Sequence, residues 1–483
     1  MTGPRQAIWT AADAAAAAGG RSTGDWRADG VSIDSRTLQP GDLFVALAGP
    51  NFDGHRFVAE ALAKGAAAAM VSLRPAGLSA EAPLLFVEDT MAGLNGLASA
   101  ARRRTAATVI GVTGSVGKTG VKEALRIVLA VEGRTVASQG NLNNHWGLPL
   151  SLARLPAQAT YAVLEMGMNH PGEITPLSRL ARPDVAVITT VDAVHRANFA
   201  SIEAIADAKA EIFAGLAPGG AAVLFRDNPQ FGRLAAAAAT LASARIVSFG
   251  SHPEADVRLV AADSGAGGSD VVAAVPGGTV SYRVPVAGAH WVTNSLCVLA
   301  AALAAGADVA RVAPALADLA VPKGRGERLS IPLGGGVLAV IDDSYNASPV
   351  SMAASIAVLG GSQPGPSGRR IAVLGDMLEL GAEAPALHAA LVTPLRDHGI
   401  DCVFTAGPLM AHLHDALPTA MRGGHADSAE ALAPQVLASV RGGDVVAVKG
   451  SAGSRMGVVV RALVASSGGA APTAASFRAG EAG

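Results

Sequence analysis

The stretch that most constrains this chain is Val109-Ile-Gly-Val-Thr-Gly-Ser-Val-Gly-Lys-Thr-Gly120, where a short apolar run breaks into a glycine loop ending in Gly117-Lys118-Thr119. Beyond it, Val121, Ala124, Leu125, Val128 and Leu129 recur at helical spacing with Lys122, Glu123 and Arg126 between them. The order is therefore strand, glycine loop, amphipathic helix. A loop in that position opens a helix N-terminus, where unpaired backbone N–H groups and the positive end of the helix dipole face an anion. Lys118 can reach β- and γ-phosphates, and the Thr119 hydroxyl can ligate Mg²⁺. The general phosphate-loop pattern places a glycine six residues before the lysine, where this chain has Val112, so the match is to the shorter Gly114-x-x-Gly117-Lys118-Thr119. ATP or GTP is the expected ligand, held by 113–119: Thr113, Gly114, Ser115, Val116, Gly117, Lys118 and Thr119.

The chain has 483 residues, half of them hydrophobic, enough for about three domains of roughly 100–200 residues. We place a first unit at 1–107, a second at 108–322 and a third at 323–465, and read the Gly-, Ala- and Ser-rich 466–483 as a disordered tail. Formal net charge is −2, and the only basic cluster, Arg102-Arg103-Arg104, is read as a solvated helix end, so no nucleic-acid partner is expected. Two cysteines, Cys297 and Cys402, lie in apolar segments and suit a reducing compartment. Neither a signal peptide nor an uninterrupted membrane-length apolar stretch is evident, and a cytoplasmic location follows.

In the first unit, Leu43-Phe-Val-Ala-Leu47 alternates like a strand after a Pro-Gly turn. Ser35-Arg36 sits on a loop where a hydroxyl and a guanidinium could hold a pyrophosphate or sugar nucleotide, although a turn with a surface ion pair is the commoner use of such residues. In the second unit, Gly140-Asn-Leu-Asn-Asn-His-Trp-Gly147 offers either turn chemistry or substrate hydrogen bonds from Asn141 and Asn143. Tyr161-Ala-Val-Leu164 is a buried-type strand that delivers Glu165 at its C-terminal end, where parallel sheets bind ligands, making this carboxylate a candidate Mg²⁺ ligand. His195 follows the strand Val185-Ala-Val-Ile188. A helix capped by Ser201 then carries Ile202, Ile205, Ala206, Ile212, Phe213 and Leu216 on one stripe, with Lys209 on the same stripe. Burial of that lysine would lower its pKa and free the neutral amine. Strand-helix-strand is expected over 219–250, a Gly-turned meander over 255–287, and a helix from about His290 carrying Asn294.

The third unit opens with the glycine-punctuated basic loop Lys323-Gly-Arg-Gly-Glu-Arg328. Apolar strands then end in polar turns at 342–349, 375–379 and 450–451, which predicts a second parallel sheet with its ligand edge on those loops.

Taken together, Asp34-Ser-Arg36 with Asp53-Gly-His55, Thr113-Gly-Ser-Val-Gly-Lys-Thr119, Gly140-Asn-Leu-Asn-Asn144, Glu165-Met-Gly167, Ala208-Lys-Ala-Glu-Ile212, Asp342-Asp-Ser-Tyr-Asn-Ala347 and Leu374-Gly-Asp-Met-Leu-Glu-Leu-Gly381 resemble the Mur ligases of bacterial cell-wall synthesis. The resemblance covers nearly the whole chain, and its last two motifs look specific to the D-alanyl-D-alanine-adding member. Three positions depart from the family pattern: Ser115-Val116 in the loop, Ser348, and a glycine-poor segment around His195.

The resemblance implies an α/β fold of three domains, a central phosphate-loop ATPase with a parallel sheet flanked by an N-terminal substrate-binding domain and a C-terminal Rossmann-like domain. It implies an ATP-dependent amide ligase acting through an acyl phosphate, with a UDP-N-acetylmuramoyl-tripeptide and D-alanyl-D-alanine as substrates and no membrane insertion; a monomer is expected. Lys118, Glu165, His195 and Lys209 would be catalytic. Two Mg²⁺ ions would be held by Thr119 and Glu165 and near His195 and Lys209, the lysine being carbamylated by CO₂ in the family. Asn294, Arg328 and Asp343 would contact ATP, with Arg325 competing for the arginine's place, and Ser35, Arg36, Asn141 and Asn143 would bind the UDP-linked substrate. The alternatives are another ligase of the same superfamily, such as a folylpolyglutamate-type enzyme, and a non-ligase nucleotide switch.

Overall fold

The structure is a computed structural model that describes residues 7–49, 52–192, 198–265, 267–320, 324–334, 336–466 and 473–474. The chain is built around three main sheets. The first has five strands in the order Arg21–Ser22, Leu84–Phe86, Ala68–Val71, Asp42–Val45 and Gly30–Ser32. All pairs are parallel except the one made by Arg21–Ser22. Every residue of Asp42–Val45 is buried, so the alternation read at 43–47 belongs to a strand covered on both faces. Helix Thr90–Arg104 closes this unit, with Leu94, Leu97 and Ala101 in its core.

The triplet expected at a solvated helix end is instead an anchor. Arg102 donates from Nε to Ala181 O at 2.7 Å and from Nη2 to Arg182 O at 2.8 Å. The Arg104 guanidinium stacks 4.0 Å from the Trp9 ring centre and donates to Ile8 O at 2.6 Å, and only Arg103 is exposed. Carbonyls at chain turns and an aromatic face offer a long guanidinium more than water does at this position.

The central sheet has nine strands, in the order Thr135–Ala137, Tyr161–Glu165, Thr108–Thr113, Val185–Ile188, Ala221–Phe225, Arg245–Gly250, Val257–Gly265, Gly268–Val275 and Gly278–Val284. The first seven run parallel and the last two turn back as an antiparallel meander. Alternate residues of Thr108–Thr113 enter different cores. Ile110 and Val112 pack with helices Lys118–Leu129 and Ala289–Ala304, whereas Val109 packs on the opposite face with Leu148, Ile174, Ile205 and Phe213.

The helix capped by Ser201 is shorter than its apolar stripe suggests. It spans Ile202–Ala210 and tightens into a 3₁₀ turn over Glu211–Gly215, with Ile202 itself exposed. The Glu211 carboxylate caps a neighbouring helix instead, accepting from the backbone N–H of Gly172 at 2.5 Å, Ile174 at 3.1 Å and Thr175 at 3.0 Å. Those are the orphan donors that open helix Ile174–Ala181, and a carboxylate there also meets the helix dipole.

The third sheet runs Arg422–Ala426, Cys402–Ala406, Arg370–Gly375, Val445–Lys449, Gly336–Asp343, Glu327–Leu333 and Thr473–Ala474. Its first five strands are parallel. The sheet is mixed rather than parallel throughout, because Glu327–Leu333 forms an antiparallel hairpin with Gly336–Asp343 and Thr473–Ala474 pairs antiparallel on its outer edge. Arg328 accordingly lies in a strand and not in the glycine-punctuated loop. Ser348, where the sequence departs from the family pattern, is the N-cap of helix Pro349–Gly360 in a capping box with Ser351, a place where serine is among the best residues. Among the described residues, no helix is long and apolar enough to cross a membrane.

Candidate active site

The glycine loop is made by steric necessity. A Cβ on Gly114, whose φ is +147°, would lie 1.9 Å from Thr189 Oγ1, and one on Gly117, at φ +86°, would lie 2.8 Å from Asn294 Oδ1. The segment that follows strand Val185–Ile188 pins what lies between. Thr189 Oγ1 donates to Val116 O at 2.5 Å, and Ser115 Oγ donates to Asp192 O at 3.0 Å while accepting from Asp192 N at 2.9 Å. Ser115, a departure from the family pattern, thus fastens the loop. Helix Lys118–Leu129 begins at Gly117 with no side-chain cap, so its first amides remain available to an anion. Lys118 curls back and donates from Nζ to Gly114 O at 2.7 Å. Burial pushes its pKa down, the nearby Glu165 carboxylate opposes this, and Arg325 adds to it.

Across the sheet, Glu165 lies beside Val112 in parallel register and is only 2 % exposed. Thr119 Oγ1 donates to its Oε2 at 2.9 Å, Asn143 Nδ2 donates to its Oε1 at 2.8 Å, and its backbone N–H donates to Ser138 Oγ at 3.1 Å. The strand end therefore presents a carboxylate and a hydroxyl together at the mouth of the phosphate-type loop, the oxygen donors that a hard divalent cation takes.

Lys122 was not among the expected site residues. The sequence pattern sets it between apolar positions as a polar residue, yet its side chain is 0 % exposed. Nζ donates to Gly140 O at 3.1 Å and lies 3.2 Å from Glu123 Oε1 and 4.0 Å from Glu165 Oε2. The signal that could have found it is spacing, since residues four apart share a helix face and Lys122 follows Lys118 by one turn.

A cavity of about 380 Å³ gathers most of the expected nucleotide residues. It is lined by 115–120, Asn141, Asn143 and Glu165 from the central sheet, by Asn294 from helix Ala289–Ala304, and by Arg325, Arg328, Asp343 and Lys449 from the third unit. Asp343 is held at 2.8 Å by Lys449 Nζ, which also donates to Asn346 O at 2.8 Å. Both arginine candidates reach the cavity: Arg325 stacks over Tyr345 with 4.5 Å to the ring centre, and Arg328 has its pKa lowered by burial. Thr113, which precedes the loop, does not line the cavity; its hydroxyl is buried and has no hydrogen-bond partner among the described residues.

A second, larger cavity of about 1220 Å³ opens on the first sheet and is lined by Ser35, Arg36, Phe52, Arg134, Gln139, Leu142, Trp146 and Arg154, among others. Arg36 is already engaged there, with Nε 2.9 Å from Asp34 Oδ1 and Nη2 2.7 Å from Oδ2. The four residues expected to bind one substrate are therefore divided: Ser35 and Arg36 face the larger cavity, Asn141 and Asn143 the smaller. The Asp53-Gly-His55 motif serves as a local lock. His55 is buried with Nδ1 2.7 Å from Asp53 Oδ1, and its Nε2 accepts from Ser72 N at 3.0 Å.

Lys209 is 2 % exposed. Burial pushes its pKa well below the ordinary lysine range, and repulsion from the Lys118 ammonium adds to the shift. It does not line the smaller cavity. His195 lies outside the described residues. Among the described residues, no three His, Cys, Asp or Glu side chains gather as a metal site; a cation at Thr119 and Glu165 would complete its shell with phosphate oxygens and water, as Mg²⁺ commonly does.

A phosphate loop on a parallel sheet, facing a second nucleotide-fold unit across a shared cavity, defines a nucleotide-dependent enzyme of several domains. Three family models divide the sequence between them: the Mur ligase family catalytic domain at 27–102, the Mur ligase middle domain at 112–302, and the Mur ligase glutamate ligase domain at 324–452. The UDP-N-acetylmuramoyl-tripeptide–D-alanyl-D-alanine ligase of Escherichia coli K12 is 37% identical over 440 residues, covering 90% of this chain and 93% of that protein. Among solved structures, MurF from Acinetobacter baumannii matches with a TM-score of 0.82 at 29% identity, covering 96% of this chain and all of that one. The MurF ligase of Thermotoga maritima, solved in complex with ADP, matches at 0.72 and 28% identity over 91% of this chain and 98% of that one. The chain belongs to the Mur ligase family.

Proposed function

We propose that this protein is an ATP-dependent amide ligase that joins D-alanyl-D-alanine to UDP-N-acetylmuramoyl-tripeptide, giving the UDP-linked pentapeptide precursor of peptidoglycan. One observation carries the reading. A single cavity combines the loop at 115–119, the Thr119–Glu165 pair, and Arg328 and Asp343 from the third sheet, beside a larger cavity that can hold a nucleotide-linked peptide. The relatives named above support the choice of acid and amine.

A carboxylate is a poor electrophile. It therefore attacks the γ-phosphorus of ATP, forming an acyl phosphate as the bond to the ADP oxygen breaks. The neutral amine of D-alanyl-D-alanine then adds to the acyl carbon, and the tetrahedral intermediate expels inorganic phosphate and loses the amine proton. ATP, acid and amine become amide, ADP and phosphate.

Phosphoryl transfer depends on positioning and charge neutralisation. The open amides of helix Lys118–Leu129 take the phosphates, and Lys118, released from Gly114 O, moves its ammonium onto the transferred group. Asn294, Arg328 and Asp343 hold the nucleotide from the opposite wall, while Ser35 and Arg36 contact the UDP-linked substrate. The paired oxygens of Thr119 and Glu165 fit Mg²⁺, which when bound would screen phosphate charge. A carbamate formed from Lys209 and CO₂, with loss of a proton, would put an anion near the Lys118 ammonium, and the lowered lysine pKa supplies the neutral amine that this needs.

The test is phosphate release by the purified protein. Strong release is expected only with ATP, Mg²⁺, UDP-N-acetylmuramoyl-tripeptide and D-alanyl-D-alanine together, with pentapeptide formed in equal amount. Equal release without the dipeptide, or with glutamate or another amino acid in its place, overturns the assignment.

A further inference from the structure

The segment 139–146 contributes to both cavities. Gln139, Leu142 and Trp146 face the larger one, whereas Asn141 and Asn143 face the smaller. The segment is tied on both sides. Asn143 O accepts from Gly167 N at 2.8 Å while the Asn143 amide holds Glu165. Gln139 Oε1 accepts from Arg154 Nη1 at 3.1 Å, and Arg154 Nε donates to Val31 O on the first sheet at 2.6 Å. A ligand that presses on Gln139, Leu142 or Trp146 acts on a backbone whose Asn143, one to four residues away, holds Glu165.

Lys122 anchors that backbone at Gly140, a residue at φ +52°. An ammonium with no exposure is costly unless paired. Its partners here are one carbonyl and two carboxylates, Glu123 and Glu165. Packing alone does not call for a lysine, because a leucine would fill this helix face, and replacing a buried ion pair by apolar groups is often neutral or stabilising. What a leucine could not do is tie the helix that opens the phosphate loop to the segment that touches both cavities.

We propose that Lys122 is a positioning residue that couples the two cavities: through Gly140 it fixes the segment 139–146, so that filling the larger cavity sets Asn143 and Glu165 for the nucleotide in the smaller one. The proposal rests on the ligase reading for the identity of the two ligands.

The full-length protein is titrated with a fluorescent ADP analogue and Mg²⁺, with and without saturating UDP-N-acetylmuramoyl-tripeptide. In the wild type the UDP-linked peptide should tighten the analogue by about fivefold to tenfold, a usual size for coupling between sites. Lys122→Met should bind each ligand alone within about twofold of wild type, as expected where the lost tie touches neither ligand, yet lose the tightening. Lys122→Arg should recover part of it. A residue needed only for packing would lower melting temperature in both variants and leave the tightening intact. Should Lys122→Met fail to fold, Leu142→Ala carries the same test, because it removes contact at the larger cavity while leaving the lysine in place. Tightening that persists in Lys122→Met or in Leu142→Ala, or that is absent from the wild type, overturns the proposal. Pentapeptide formation by the wild type is scored separately, and its absence counts against the ligase reading instead.

Discussion

The Thr119 hydroxyl donates to Glu165 Oε2 at 2.9 Å, which joins the first turn of the phosphate-loop helix to the carboxylate at the end of strand Tyr161–Glu165. The pair fixes the distance between two oxygen donors before any cation arrives. Glu165→Gln keeps the shape and the Asn143 contact but removes the negative charge. Turnover should fall by about 100-fold, the upper range for loss of a metal-site contact, and half-maximal Mg²⁺ should rise. Steady-state rates across a Mg²⁺ titration check this, and an unchanged Mg²⁺ dependence would remove Glu165 from the metal.

Lys118 is parked on Gly114 O at 2.7 Å, with Ser115 O at 3.5 Å, so removing its ammonium breaks these two contacts and leaves the glycine loop to be held by the side chains of Ser115 and Thr189. Lys118→Met should lower kcat by about 100- to 1000-fold, as for loss of one charge-stabilising donor. Measured without nucleotide, affinity for the UDP-linked peptide should stay within about twofold, since this side chain lines the smaller cavity and not the larger one. Calorimetric titration of the variant decides it.

What could be read from the residues follows the range of the forces that place them. The glycine loop, the stripe on Lys118–Leu129 and the delivery of Glu165 at a strand end are set by near neighbours in sequence, and all were legible. The meeting of Asn294, Arg328 and Asp343 with that loop was legible only through family resemblance, because nothing local joins residues so far apart. Lys122 and Arg104 escape a local reading: one is a polar residue within an apolar stripe and the other ends a basic triplet, and it is Gly140 and Trp9, distant in sequence, that engage them. Likewise, helix Ile202–Ala210 yields to a 3₁₀ turn where Glu211 turns to cap another helix, a competition that periodicity does not reveal.

His388 is fully buried, donates from Nδ1 to Ala384 O at 2.6 Å, and accepts at Nε2 from Met377 N at 2.9 Å. This arrangement holds the loop at 375–381 and requires the neutral ring. Burial lowers its pKa below the ordinary 6.5. Below that value the unfolded chain binds a proton that the folded one resists, so stability is lost as pH falls from about 6.5, by at most about 1.4 kcal/mol per pH unit for one group. His388→Asn retains an acceptor but gains no proton. Its urea midpoint, lower than wild type at neutral pH, should decline less steeply between about pH 6.5 and 5, and parallel slopes would refute the assignment.

Lys209 provides the sharpest test of the chemistry, because its burial and its neighbour both disfavour the ammonium. If the amine stays unmodified, the unfolded chain binds the extra proton at every pH between the lowered folded value and the ordinary 10.5, so stability climbs with pH through that window. A carbamate would reverse the sign of the charge and suit a site close to the Lys118 ammonium. Lys209→Ala should then lose nearly all turnover, and acetate or formate, which can enter the vacated space, should restore part of it while chloride at matched ionic strength does not. Wild-type activity should fall when CO₂ is rigorously removed and return with bicarbonate. Normal turnover in Lys209→Ala, or in Lys209→Arg, which keeps only the positive charge, would show that the lysine works without modification.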